Sequence, residues 1–158
     1  MIQSWKNLFF LHFSIDKNYL ESHLPDGLYL DTIEDKAFLA IVGFEMSRIF
    51  FPFLKSIHYP RFHELNLRTY IKLPNGKKGI YFFSLDANSR LGVLIARSFF
   101  KLPYNFYPLK YDYNDKLCIF KSYKDNRIES SFEFSVGSKK IKDRFTDFFL
   151  ERYFFITY

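Results

Sequence analysis

The chain predicts a mostly β fold, a barrel or a sandwich with a few short helices, and three observations carry that expectation. From Glu64 to Ile71 the residues alternate, with Leu65, Leu67, Thr69 and Ile71 on one face and Glu64, Asn66, Arg68 and Tyr70 on the other. Arg127 to Val136 alternates in the same way, Ile128, Ser130, Phe132, Phe134 and Val136 facing in. Ala37 to Met46 is apolar almost throughout, as a strand buried on both faces would be.

The first element, "KNLFFLHFSI", reads as an apolar strand ending at Asp16, which can cap a short helix, "KNYLESHL", before a Pro-Asp-Gly turn stops it. "LYLDTI", an "EDK" turn and "AFLAIVGFEM" predict a hairpin. A link rich in Phe and Pro, "RIFFPFLKSIHYP", leads to the alternating strand from Phe62. A Pro-Asn-Gly turn then hands the chain to "GIYFFSLDA". The period changes in "ANSRLGVLIARSFFKL", where Asn88 or Ser89 can cap a helix with Leu91, Leu94, Ile95 and Phe99 as its apolar stripe. Three strands are expected from "NFYPLKYDY", "KLCIFKSY" and "RIESSFEFSV", followed by a short helix in "DRFTDFFLERY" and the start of a strand in "FFIT".

At 158 residues the chain fits one domain, 1–158, able to bury about 70% of its unfolded surface. Its 22 Phe and 12 Tyr exceed what such a core needs, a skew that AT-rich coding produces and that an aromatic binding surface would also produce. The net charge of +6 is scattered, dense only at Lys77-Lys78 and Lys139 to Lys142, so nucleic acid is not an expected partner. A nucleic-acid-binding barrel is the reading that this charge would otherwise favour. A single cysteine, Cys118, allows no internal disulfide and no zinc set. The longest uncharged runs are far shorter than the roughly 20 residues of a spanning helix, and the N-terminal run lacks a signal-peptide pattern. The expectation is a soluble, cytoplasmic, unsecreted protein with no membrane partner.

The polar row Glu64, Asn66, Arg68 and Tyr70 can line a pocket, join a buried network between strands, or face water. Along one strand Glu64 and Arg68 lie about 13 Å apart, at ~3.3 Å per residue. They cannot pair directly, and each needs a partner on another strand or a ligand. His12, in an apolar run, reads as a satisfied core histidine or a pocket group. Asp86 can cap the following helix or orient Arg68 or Arg97. The four histidines match no metal motif, and no nucleophile elbow, phosphate loop or dinucleotide fingerprint is present, so no metal and no cofactor is expected.

Six pieces in order, "W..LFFLHFSID" (Trp5 to Asp16), "LPDGLYLDT", "F.ELNLRTY", "G.YFFSLDA", "AR..F.LPY" and "ERY", resemble the YqjF-like bacterial proteins of the acetoacetate decarboxylase-like superfamily. The resemblance implies a single-domain mixed β-barrel with a few helices, and a family without an established activity. It also implies a chain shortened at its C-terminus, since such proteins continue beyond "ERY". In the decarboxylases a lysine after a Phe-Pro pair forms a Schiff base with a β-keto acid. The matching stretch here is Leu102-Pro103-Tyr104-Asn105, and a tyrosine cannot form an imine. Lys101 lies on the wrong side of the proline and Lys110 too far along, so the resemblance implies no Schiff-base chemistry. Glu64 falls where the decarboxylases place a pocket glutamate, and the resemblance sets Arg97 near the pocket.

The expected function is thus binding or turnover of a small organic acid or carbonyl compound, with Glu64 as acid, base or acceptor. Arg68 and Arg97 are candidate anion forks, and Tyr70 and Tyr104 are wall residues. A non-enzymatic ligand-binding module and a non-functional fragment are the alternatives.

Overall fold

A computed structural model describes residues 2–50, 60–114, 117–138 and 142–150. The expected "FFIT" strand, the "ERY" motif and most of the link before Phe62 lie outside the described residues.

Strand β1 (Ile2–Ile15) stops at Asp16, whose carboxylate accepts the Tyr19 N–H at 2.8 Å and starts helix α1 (Lys17–Glu21). Strand β2 (Tyr29–Leu30) follows, and Glu34 and Asp35, both at positive φ, make a two-residue turn that bridges Ile33 and Lys36. The expected hairpin between β2 and β3 (Ala37–Phe50) does not form beyond that bridge. Instead β2 pairs antiparallel with β4 (Phe62–Lys72), Tyr29 opposite Lys72 and Leu30 opposite Ile71. The Asp31 N–H extends this pairing to the Tyr70 carbonyl at 2.9 Å.

The turn after β4 closes through Gly76 N–H to Leu73 O at 2.8 Å, with Gly76 at φ +79°, a conformation that a side chain would strain. Strand β5 (Lys78–Ala87) runs into helix α2 (Arg90–Phe100), capped by Ser89, whose Oγ accepts the Gly92 N–H at 3.2 Å. The expected apolar stripe on α2 is out of phase. Leu91 and Leu94 are 56% and 61% exposed, while Val93 is buried. Arg90 packs 4.1 Å over the Phe106 ring, one turn before the buried Val93. Replacing Ser89 by Ala leaves the Gly92 N–H without its cap, and denaturant unfolding should show a loss of about 1 kcal/mol.

Strand β6 (Tyr104–Phe106) returns parallel to β5, so β5, α2 and β6 form a βαβ unit. The single strand expected from Asn105 to Tyr113 is cut at Pro108, which has no N–H to give a ladder. Beyond it β7 (Leu109–Tyr113), β8 (Cys118–Lys124) and β9 (Arg127–Phe134) form an antiparallel meander. Asp125 and Asn126, at φ 50° and 61°, join β8 to β9 in a tight turn. The expected alternation in β9 holds from Ser130 to Phe134 but fails at Ile128, 55% exposed, and at Val136, 77% exposed. A bulge pairs Ser122 with Ser130 and Tyr123 with Ile128, and the skipped Glu129 reverses the phase below it. Val136 lies past the end of the strand. Helix α3 (Arg144–Leu150) is capped by Asp143, which accepts from Thr146 N–H at 2.8 Å.

The larger sheet runs β1-β3-β4-β5-β6, with β2 on β4, and the smaller runs β7-β8-β9. The fold is mainly β with mixed sheets. The expected closed barrel is not found among the described residues, because the larger sheet ends at the three-residue β6 without a ladder back to β1.

The chain divides into two compact units. In the first (Met1–Phe10, Val42–Asn66, Ser84–Gly137), the Phe9 ring packs against Phe120, Phe132 and Phe134 at 5.1–5.7 Å, and Trp5 packs on Phe44. In the second (Leu11–Ile41, Leu67–Phe83, Ser138–Tyr158), Leu20, Leu30 and Ala37 are buried with Ile15, Leu24, Leu39 and Phe83 around them. No helix among the described residues is long and apolar enough to cross a membrane.

Candidate functional site

The polar row of β4 is buried. Glu64, Asn66, Arg68 and Tyr70 are 3%, 6%, 8% and 0% exposed, while Leu65 and Leu67 between them are only half-buried. A face of this composition is expensive to bury unless each group is engaged, so the water-facing reading falls away. Glu64 and Asn66 belong to the first unit, Arg68 and Tyr70 to the second.

In the first unit, the partner of Glu64 comes from β6. Pro103, with its fixed φ, sits at the centre of a tight turn in which the Tyr104 N–H donates to the Leu102 carbonyl at 2.8 Å. The parallel ladder then sets Tyr104 level with Leu85 of β5. From there Tyr104 Oη donates to Glu64 Oε2 at 2.8 Å. The two strands flank β5, about 10 Å apart at two strand spacings, a gap that needs a side chain as long as tyrosine.

Burial pushes the Glu64 carboxyl up to about 7, against hydrogen bonds from Tyr104 and Asn66 that favour its charged form. The Tyr104 phenol is held well above its usual range, first by burial and then by the Glu64 charge it faces. It remains a donor at any ordinary pH. Asn66 engages Glu64, yet its Oδ1 is buried with no hydrogen-bond partner among the described residues.

Asp86 does not cap α2, a role taken by Ser89. Its carboxyl is half-buried and raised by burial, opposed by hydrogen bonds from Ser84 and from Asn105, its ladder partner on β6. Arg97, in the last turn of α2, is exposed. The structure thus brings together Glu64, Asn66 and Tyr104 and leaves Arg97 at the surface.

Sequence reasoning missed Asn88 as anything but a cap. Its Oδ1 accepts the His63 N–H at 2.7 Å and its Nδ2 donates to the Leu109 carbonyl at 3.0 Å. The Asn88 N–H also meets the His63 carbonyl at 3.1 Å. Two of these bonds fix the backbone immediately before Glu64, and the third ties Asn88 to β7. The His63 ring is lowered by burial, against the raising influence of Glu45 and Asp112. The signal available was a lone Asn at the end of an apolar strand, which reads equally well as a helix cap.

In the second unit His12 Nε2 and Tyr70 Oη are 2.7 Å apart, and the imidazole stacks on Phe149 at 3.6 Å. Burial, with the Arg68 charge adding to it, lowers His12 to about 4. Burial also lowers Arg68, opposed by its interaction with Tyr70. The imidazole is neutral at physiological pH, and its hydrogen bond with the Tyr70 phenol and its stacking on Phe149 hold the ring in place. A base depressed in the folded state contributes stability above the unfolded value of 6.5 that is lost as pH falls toward about 4. His12→Gln should remove that acid sensitivity, as read by melting temperature between pH 7 and 4. An unchanged acid slope in the variant would contradict the assignment. Among the described residues no group of three His, Cys, Asp or Glu could hold a metal ion.

The fold is similar to that of about half of an acetoacetate decarboxylase. The acetoacetate decarboxylase of Legionella pneumophila matches with a TM-score of 0.67 at 12% identity, covering 85% of this chain and 49% of its own. A second acetoacetate decarboxylase structure matches at 0.68 and 12% identity, over 89% and 52%. The enduracididine biosynthesis enzyme MppR, complexed with the condensation product of pyruvate and imidazole 4-carboxaldehyde, matches at 0.62 and 9% identity, over 82% and 53%. At these identities the likeness is one of fold.

The chain belongs to the DUF2071 family of uncharacterized conserved proteins, whose profile matches residues 2–158. It is 40% identical over 133 residues to the uncharacterized protein YqjF of Bacillus subtilis (strain 168), covering 84% of this chain and 54% of that protein. The chain therefore spans about half the length of this curated relative.

Proposed function

We propose that the Glu64, Asn66 and Tyr104 cluster is a small-molecule site that binds, or turns over by proton transfer, a small organic acid or carbonyl compound without a Schiff base. The observation that carries this reading is a carboxyl 3% exposed, poised at about 7 and held by a phenol at 2.8 Å. A carboxyl in that range can take a proton from a ligand or give one to it near neutral pH, which is what general acid–base work requires. The fold relatives add support: one group is named for acetoacetate, and MppR holds a pyruvate-derived product. In this chain Tyr104 follows Pro103 where the resemblance places the decarboxylases' lysine, and the proposed chemistry rests on Glu64. A cytoplasmic setting suits the lone free thiol, Cys118.

Glu64→Gln tests this directly in a screen of pyruvate, acetoacetate and related compounds by NMR. An enzyme should lose turnover at least a hundredfold while keeping a cooperative melt. The Tyr104 bond already made in the free protein favours a second reading, a binding module. In that case the same change weakens affinity with no turnover to lose. Equal ligand behaviour in both proteins would remove Glu64 from the site.

A further inference from the structure

The Glu64 cluster has a one-sided supply of hydrogen-bonding groups. Asn66 is 6% exposed, its amide nitrogen engages Glu64, and its Oδ1 is left as a buried acceptor without a donor. Tyr104 Oη–H is spent on Glu64 Oε2. What the cluster lacks is thus a donor, and a buried acceptor without one carries a desolvation cost that a complementary group would remove.

A ligand carboxylate cannot fill that role. It brings only acceptors, leaves Asn66 Oδ1 unmet and places like charge against Glu64 when that residue is ionised. A bare ketone oxygen fails for the first of these reasons. An amide N–H would donate to Asn66 but could not accept from Glu64 in its protonated form. A hydroxyl donates to Asn66 Oδ1 and, when Glu64 is protonated, accepts its proton as well.

We propose that Asn66 Oδ1 accepts a hydrogen bond from a ligand hydroxyl, so that this end of the site takes a neutral hydroxyketone rather than a carboxylate. The inference rests on the reading of the cluster as a small-molecule site and narrows it. Asn66 is on this account a specificity-determining residue, and Glu64 is the group that reports the ligand's proton.

The test compares hydroxyacetone, acetone and pyruvate on the full chain by ligand-observed NMR titration at pH 6 and 8, a comparison that needs no variant. Hydroxyacetone is expected to bind at least tenfold more tightly than either of the others at pH 6, and its preference over acetone to shrink at pH 8, where Glu64 has lost its proton. Asn66→Leu should erase that preference, and Asn66→Asp, which keeps an acceptor, should retain it over acetone. Binding of pyruvate as tight as that of hydroxyacetone overturns the inference and leaves the small-molecule site standing. No binding of any of the three up to millimolar concentrations overturns both, and the buried acceptor is then met by water alone.

Discussion

Replacing Glu64 by Gln is expected to stabilise the protein at pH 8 and to unmask a rise of stability with pH. The carboxyl titrates at about 7 when folded against an ordinary value of 4.5, so between these values the folded state binds more protons than the unfolded one. Stability contributed by this group therefore falls as pH rises from about 4.5 to about 7 and stays low above that. The cost of ionising the buried carboxyl is roughly 3 kcal/mol at pH 8, at about 1.4 kcal/mol per pH unit. Gln is close in size, can still accept from Tyr104, and has no charge to bury. Part of that cost should be returned, about 1–3 kcal/mol once the altered hydrogen bonding with Asn66 is allowed for.

His12 works in the opposite direction over nearly the same interval, its contribution being lost as pH falls from 6.5 toward about 4. The two slopes offset one another in the parent chain, more completely the less the half-exposed imidazole is screened. Single substitutions should then unmask them. With Glu64→Gln, stability should rise with pH between 4 and 7, and with His12→Gln it should fall. Denaturant titrations at unit pH steps give both slopes, and a parent-like profile in the Glu64 variant would remove the buried carboxyl from the account.

The strand that carries Glu64 was legible because a period-two pattern needs only the order of residues. Its burial was not, since alternation defines two faces without saying which meets the core. Here both are covered, and the polar face is the drier; at Glu64 this depends on β6 arriving across β5 with Tyr104. That arrival is set by a βαβ crossover and by Pro103, neither of which marks the distance to Glu64 in the sequence. The helix between them was recognised from its period, and Ser89 from its chemistry. Its rotation is not legible, because the apolar residues Leu91, Val93 and Leu94 lie close together in sequence and only packing selects which of them is buried. The β2 pairing and the Glu129 bulge failed for a related reason. Local turn signals were present in both places, but long-range ladders decided which backbone groups they would serve.

Gly43 shows the same principle in the core, and its substitution should have the largest structural effect. It interrupts the apolar run of β3, where a glycine ordinarily weakens a strand. An added Cβ would lie 2.3 Å from Phe9 Cε1 and 2.5 Å from Cζ. The ring edge of a free phenylalanine could swing away. Phe9 cannot do so cheaply, because it is 6% exposed and bordered by Phe120, Phe132 and Phe134. Gly43→Ala should therefore cost about 3 kcal/mol, the upper part of the overpacking range, despite the better strand propensity of alanine. Phe9→Leu alone should also destabilise, by shortening a ring contact on which three aromatics close. Combined, the two changes should be less harmful than their sum by at least about 1 kcal/mol, because the smaller side chain at position 9 vacates the space that the new methyl needs. Denaturant unfolding of the four chains in the cycle measures that coupling. Strict additivity would mean that the strand absorbs the methyl elsewhere and that Gly43 is not there to seat the Phe9 ring.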